Sequence, residues 1–170
     1  MKQKLVKIMF ALTPLGIIGV ISAQDSQQPY NNPVPVQTSM NEIMVMAVDY
    51  AAHWIWDAQE EPPATEEDWF RIRVHATQLV ALGSTIALGG TGVADNGWVR
   101  SPEWARDAQA LVDVGHDALE AAENQNANAL NAAADRLVEV CESCHDTFKP
   151  EVPTEGLLHR DVHREARRGP

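Results

Sequence analysis

Along four stretches of this chain apolar residues return every three or four positions, and turn-forming residues separate the stretches. That spacing puts the apolar side chains on one face of a helix. Ser39-Met40-Asn41-Glu42 reads as a capping box, in which the serine and glutamate satisfy each other's free amides. It predicts a first helix running to about Asp57, with a stripe of Ile43, Met44, Ala47, Ala51, Trp54, Ile55 and Ala58. Glu61-Pro62-Pro63-Ala64 then breaks the chain, and Thr65 with Asp68 caps a second helix. Its stripe is Trp69, Ile72, Ala76, Leu79, Gly83 and Ile86, and Gly89-Gly90 ends it.

A longer loop runs from Thr91 to Arg100. Ser101-Pro102-Glu103 starts a third helix, with a cap residue followed by proline at the first helical position. Trp104, Ala108, Leu111, Gly115, Ala118 and Ala122 form its apolar face, and Asn124 to Asn128 make a polar break. The fourth helix carries Leu130, Ala133, Leu137, Cys141, Cys144 and Phe148, and Pro150 stops it. Four such helices joined by short, medium and short connections predict an all-α, up-down-up-down four-helix bundle. Small residues on the stripes (Ala51, Ala76, Gly83, Ala108, Gly115) allow close helix approach or leave room for a flat cofactor.

The flanks have a different character. Lys2, Lys4 and Lys7 precede an apolar run, Ile8 to Val20, and small residues Ser22-Ala23, so residues 1–23 read as a cleaved signal peptide. The apolar run is shorter than a comfortable membrane span, which weighs against an uncleaved anchor. Residues 24–38 form a Gln/Asn/Pro-rich leader, 39–150 the bundle domain, and 151–170 a loosely ordered tail. Net charge is −11, and removal of the signal's three lysines takes it to −14. So acidic a body is a poor partner for nucleic acid or anionic membranes and points to a partner with a basic face, or to nothing specific. At 45% apolar residues the chain can still build a real core.

The chemistry is concentrated in Cys141-Glu142-Ser143-Cys144-His145, which holds the only two cysteines. C-x-x-C-H is the attachment signal for c-type haem. Thiols three positions apart share a helix face, so both can form thioethers to one porphyrin. The adjoining His145 is then placed to bind the iron as proximal ligand. In an up-down-up-down bundle the fourth helix ends where the first begins, so the covalent haem sits at one end and His145 and Met44 lie at similar depth. Met44 is the candidate second axial ligand; an ordinary core methionine beside five-coordinate iron is the alternative. Met40 is expected in a frayed first turn, Met46 on the opposite side about 200° away, and His53 about half a turn off. Leu79, Ile86, Trp104 and Leu111 are candidate pocket walls, Trp98 a candidate cover, and Arg100 and Lys149 lie near that end.

On these residues the chain resembles the cytochrome c′ family, the class II c-type cytochromes. Cys141 to His145 on the last of four helices, the export signal, and Glu42-Ile43-Met44 followed by Ala51, Trp54 and Trp56 carry the likeness, the last set to the low-spin branch. The resemblance implies a periplasmic protein with one covalently attached haem c that carries electrons or binds nitric oxide or carbon monoxide. Met44, where the gas binders have an apolar residue, favours electron transfer to periplasmic redox partner proteins. Family members often form homodimers, and the tail past Pro150 departs from the usual ending.

Other readings fit less well. Cys141, Cys144, His159 and His163 match the loose spacing of a Cys2His2 zinc site. Such fingers need a hairpin at the cysteines, whereas these close a helical pattern. A thioredoxin-like pair opens a helix after a strand, and a disulfide within one helical turn is strained. His75 and His116 read as rim residues, and Glu60, Glu61, Glu66, Glu67 and Asp68 as a solvated acidic end. No nucleophile–base arrangement or phosphate loop is present in the sequence, so an electron carrier is expected rather than an enzyme.

Overall fold

The computed structural model describes residues 34–149, and all its regular elements are helical. The signal segment, most of the leader and the tail with His159 and His163 lie outside the described residues. The first long helix has three parts: α1 (Met40–Ile43), a π-helical turn (Met44–Val48) and α2 (Asp49–Glu60). Then come α3 (Glu66–Ile86), a single turn α4 (Asp95–Trp98), α5 (Pro102–Glu123) and α6 (Ala127–Phe148).

Local chemistry sets the starts. Ser39 with Glu42 and Thr65 with Asp68 form complete capping boxes. Ser101 accepts from the Trp104 amide with Pro102 behind it, and Asn126 accepts from the Ala129 amide. The Glu42 carboxylate takes bonds from the Ser39 amide and hydroxyl and the Thr38 hydroxyl. Those donors pull its pKa down to about 2.

The π turn departs from the unbroken helix that the periodicity predicts. Met40 and Ile43 are buried before it; Val48, Ala51, Ala52, Ile55 and Ala58 are buried after it. On a plain α-helix, at about 100° per residue, these two sets would point most of a right angle apart. In the π turn the Asp49 amide donates to the Met44 carbonyl, five residues back, and the extra residue brings the sets onto one face. Ala47, predicted on the stripe, is consequently only half-buried, and Val48 takes its place.

Met40 is also corrected. It is 1% exposed rather than frayed, because the medium connection clamps the start of α1. The buried Asp95 carboxylate in α4 accepts from the Met40 amide at 2.9 Å and the Gly92 amide at 2.7 Å. The Thr91 amide donates to the Thr38 carbonyl at 3.1 Å. A Cβ on Gly90 would stand 2.7 Å from that same carbonyl and 2.5 Å from Asp95 Oδ2, so only glycine fits there.

The long helices form a ring in which α3 packs on α2 and α5, and α6 packs on α5 and α2. Each neighbouring pair runs antiparallel. Gly83 of α3 faces Ala108 and Val112 of α5, while Gly115 of α5 faces Leu79 and Val80 of α3. Gln59, near the end of α2, donates to Asp135 Oδ1 and the Asn131 carbonyl in the first half of α6. This is the predicted up-down-up-down bundle, with Ile55, Leu79, Val114, Leu130 and Leu137 fully buried and alanines filling the seams.

Between α2 and α3 the structure corrects His75, expected at the rim. It is 8% exposed, stacked on Trp54 at 4.7 Å between ring centroids and met edge-on by Tyr50 at 5.4 Å. Its Nδ1 hydrogen bonds to Gln78 Oε1 at 2.7 Å. Burial lowers the His75 pKa below its ordinary 6.5, against the smaller upward effect of Gln78. The folded protein thus prefers neutral His75, and the unfolded chain binds the proton more readily. Stability from this group is complete above pH 6.5 and declines as pH falls below it. Chemical denaturation at several pH values should show that acid-side decline, and His75→Phe should flatten it; an unchanged slope in the variant would assign the decline to other groups.

Candidate haem-attachment site

Four helix ends meet at one end of the bundle: the start of the first helix, the end of α3, the start of α5 and the end of α6. The Cys-x-x-Cys-His run lies here, on the last two turns of α6. Burial along α6 changes abruptly as the motif approaches. Leu130, Ala133, Ala134 and Leu137 are buried, whereas Val140, Cys141, Cys144, His145 and Phe148 are only half-buried. Cys141, Cys144 and Phe148 nonetheless share the face that packs on the core.

The neighbours explain that change. The middle of α6 is covered by α2 and α5, but α1 and the π turn lie against α3 rather than along α6. Met44, the first residue of the π turn, is half-buried and packs on the core. Its depth follows from the register of α2 on α6. Gln59 reaches Asn131, and Asp49 lies within electrostatic reach of Cys141. Five residues before Asp49, Met44 therefore comes level with His145 and Asp146. The structure thus brings Met44 and His145 to the same depth of the bundle. Met46 is 69% exposed, as its angle predicts. His53, expected away from this face, is bonded through Nδ1 to the Asp49 carbonyl at 2.8 Å and meets Trp56 edge-on at 5.2 Å.

An aromatic cap closes the end of the bundle. Trp98 and Trp104 stack at 5.4 Å, and Phe148 meets Trp104 edge-on at 5.0 Å and Trp98 at 6.2 Å. Trp104 Nε1 donates to the Ile86 carbonyl at 2.9 Å, tying α5 to the end of α3. Of the expected wall residues, Leu79, Ile86, Trp104 and Leu111 are all buried core. Trp98 is half-buried within the cap, while Arg100 is exposed and Lys149 half-buried.

Both thiols are free and shielded. Burial pushes Cys141 up to about 12, with Cys144, Asp49 and Glu142 adding to the effect. Burial likewise pushes Cys144 up to about 11, helped by Asp107 and opposed by Arg106. Neutral sulfur in apolar surroundings is the environment a thioether occupies without any change of charge. Paired sulfurs on one face, a half-covered apolar stretch around them, an adjoining imidazole and a level methionine together fit a covalently held haem. Two neighbouring residues escaped the sequence reading. Asp107 is 6% exposed beside Cys144, and Asp95 is 3% exposed under the start of α1.

Among the described residues no helix is long and apolar enough to cross a membrane. No curated protein and no solved structure matches the chain. Residues 73–149 match the family model described as Cytochrome C', which spans most of α3 and all of α4, α5 and α6, and leaves the Met44 helix outside. That match, which ends on the Cys-x-x-Cys-His helix, supports the cytochrome c′ family for this chain.

Proposed function

We propose that this protein is a periplasmic electron carrier that would hold one haem c, attached through Cys141 and Cys144, with His145 and Met44 as the residues that would bind its iron. When bound, haem supplies a one-electron ferric/ferrous couple. The chain's own residues fix and shield it. Cys141 and Cys144 would hold the group to α6 through two thioether bonds. His145 follows directly in sequence, and its position is set by the helix it closes. Trp98, Trp104 and Phe148 keep water from the end of the bundle. Export by the signal-like segment, residues 1–23, delivers the chain to the compartment where such attachment occurs, and its acidic body suits basic redox partners.

The observation that carries the electron-transfer reading is Met44, half-buried and level with His145 across the bundle. Iron held by both an imidazole and a thioether would be low-spin, with no position left for a gas. Protein matured in a host with haem-attachment machinery should show a low-spin spectrum that carbon monoxide does not change. Met44→Ala should turn it high-spin and responsive to carbon monoxide. A wild-type protein that is already high-spin and binds the gas would instead be the five-coordinate nitric oxide or carbon monoxide binder.

A further inference from the structure

We propose that the buried carboxylate of Asp107 is a fixed negative charge that biases the haem iron toward its ferric state. The inference rests on haem attachment at Cys144 and names a residue that tunes the site without ligating the metal. Asp107 sits one turn into α5, next to the stripe residue Ala108, and α5 runs antiparallel beside α6. Its side chain is 5% exposed. Oδ1 takes two bonds from Arg106, from Nε at 3.1 Å and from Nη2 at 3.0 Å. Oδ2 is buried and has no hydrogen-bond partner among the described residues.

Arg106 does not cancel this charge. The guanidinium is 63% exposed, so water screens it, whereas the carboxylate it holds is screened hardly at all. Asp117 of α5 pairs with Arg136 of α6, so ten residues nearer this end Asp107 lies level with the turn of α6 that carries Cys144. Of the other described cations toward this end, Arg100 is exposed and Lys149 half-buried at the close of α6. From α2, Asp49 acts on Cys141 in the same direction, with His53 3.6 Å from its carboxylate, and α6 contributes Glu142. A negative field at the attachment sulfur favours the more positive oxidation state of the metal in the attached ring. An unpartnered buried carboxylate oxygen is costly to the fold, which argues for a use beyond packing.

Potentiometric titration of the matured protein tests the inference. Asp107→Asn keeps size and shape while removing the charge, and Asp107→Leu removes charge and polarity together. Both should shift the ferric-to-ferrous ratio at fixed potential toward ferrous iron by about tenfold, equivalent to 59 mV for one electron. Arg106→Gln should shift it the other way by less, and the shift should shrink as salt is added. Intact mass reports attachment separately in each variant. A bare polypeptide from the wild-type chain would defeat the haem reading itself. Attached haem with an unmoved potential in Asp107→Asn would overturn the role of Asp107, even if Asp107→Leu altered the potential through packing.

Discussion

Replacing both Cys141 and Cys144 with serine should yield a folded helical bundle that carries no covalent haem. The two halves of α6 divide the work. Leu130, Ala134 and Leu137 are fully buried, and Ala133 nearly so, and these residues fasten the helix to α2 and α5. Each fully buried leucine contributes about 2 kcal/mol of burial, before any contribution from the sulfurs. The motif half is only partly covered, so its serines remain close to water. Serine also cannot form a thioether, so any retained haem would be held by axial ligation alone and lost on denaturation. Circular dichroism with thermal melting should show near wild-type helix content and a cooperative transition. Mass measured after denaturation should show the bare chain. A variant that keeps its haem through denaturation would place the attachment elsewhere, and one that cannot fold would show that attachment, not burial, fastens α6.

How far the sequence disclosed this arrangement depends on the range of each interaction. The capping pairs Ser39/Glu42 and Thr65/Asp68 and the Ser101-Pro102 start lie within three residues of their partners, and all three appear as read. The fourth helix begins inside its predicted polar break, because Asn126 caps it, and the first runs on to Glu60. The π turn was not legible. Ile43, Met44, Ala47 and Ala51 fit an unbroken helix, and only the burial of both Met40 and Val48 reveals the inserted residue. Asp95 was hidden for a similar reason, since its partner at Met40 is 55 residues away.

Within the candidate site the divide is the same. Cys141, Cys144 and His145 are contiguous, so their chemistry could be read directly, and helix arithmetic was enough to bring Met44 level with them. His75 and Asp107 both flank stripe positions, where a polar residue ordinarily reaches solvent. Each is buried by another helix: His75 beneath Trp54 of α2, and Asp107 against the Cys144 region of α6. Their environments depend on how helices are rotated against each other, and the π turn helps set that rotation for the first helix.

Gly83→Leu should lower stability by about 3 kcal/mol through overpacking. Glycine inside a long helix costs about 1 kcal/mol relative to alanine, so its presence in the last turn of α3, on the α3/α5 seam, needs a steric reason. The reason is close approach. A Cβ at Gly83 would stand 2.8 Å from Val112 Cγ2, 3.0 Å from the Val112 amide nitrogen and 3.1 Å from the Ala108 carbonyl oxygen. Two of those three atoms are backbone, and the third belongs to a stiff β-branched side chain. The space cannot be made by turning one side chain, so α5 itself has to move. Gly115 repeats the constraint lower on the seam, where a Cβ would meet Val80 Cγ2 and the Val80 amide nitrogen, each at 3.0 Å. Gly83→Ala should be milder, since its gain in helix propensity offsets much of the clash. Thermal melting should place Gly83→Leu about 10 °C or more below the wild type, and a transition within a degree or two would show that the seam yields freely. Because Gly83 lies one turn before Ile86, whose carbonyl holds Trp104 Nε1, the displacement should reach the aromatic cap. Tryptophan fluorescence should therefore shift in Gly83→Leu before global unfolding begins, linking the packing of the α3/α5 seam to the covering of the Cys-x-x-Cys-His end.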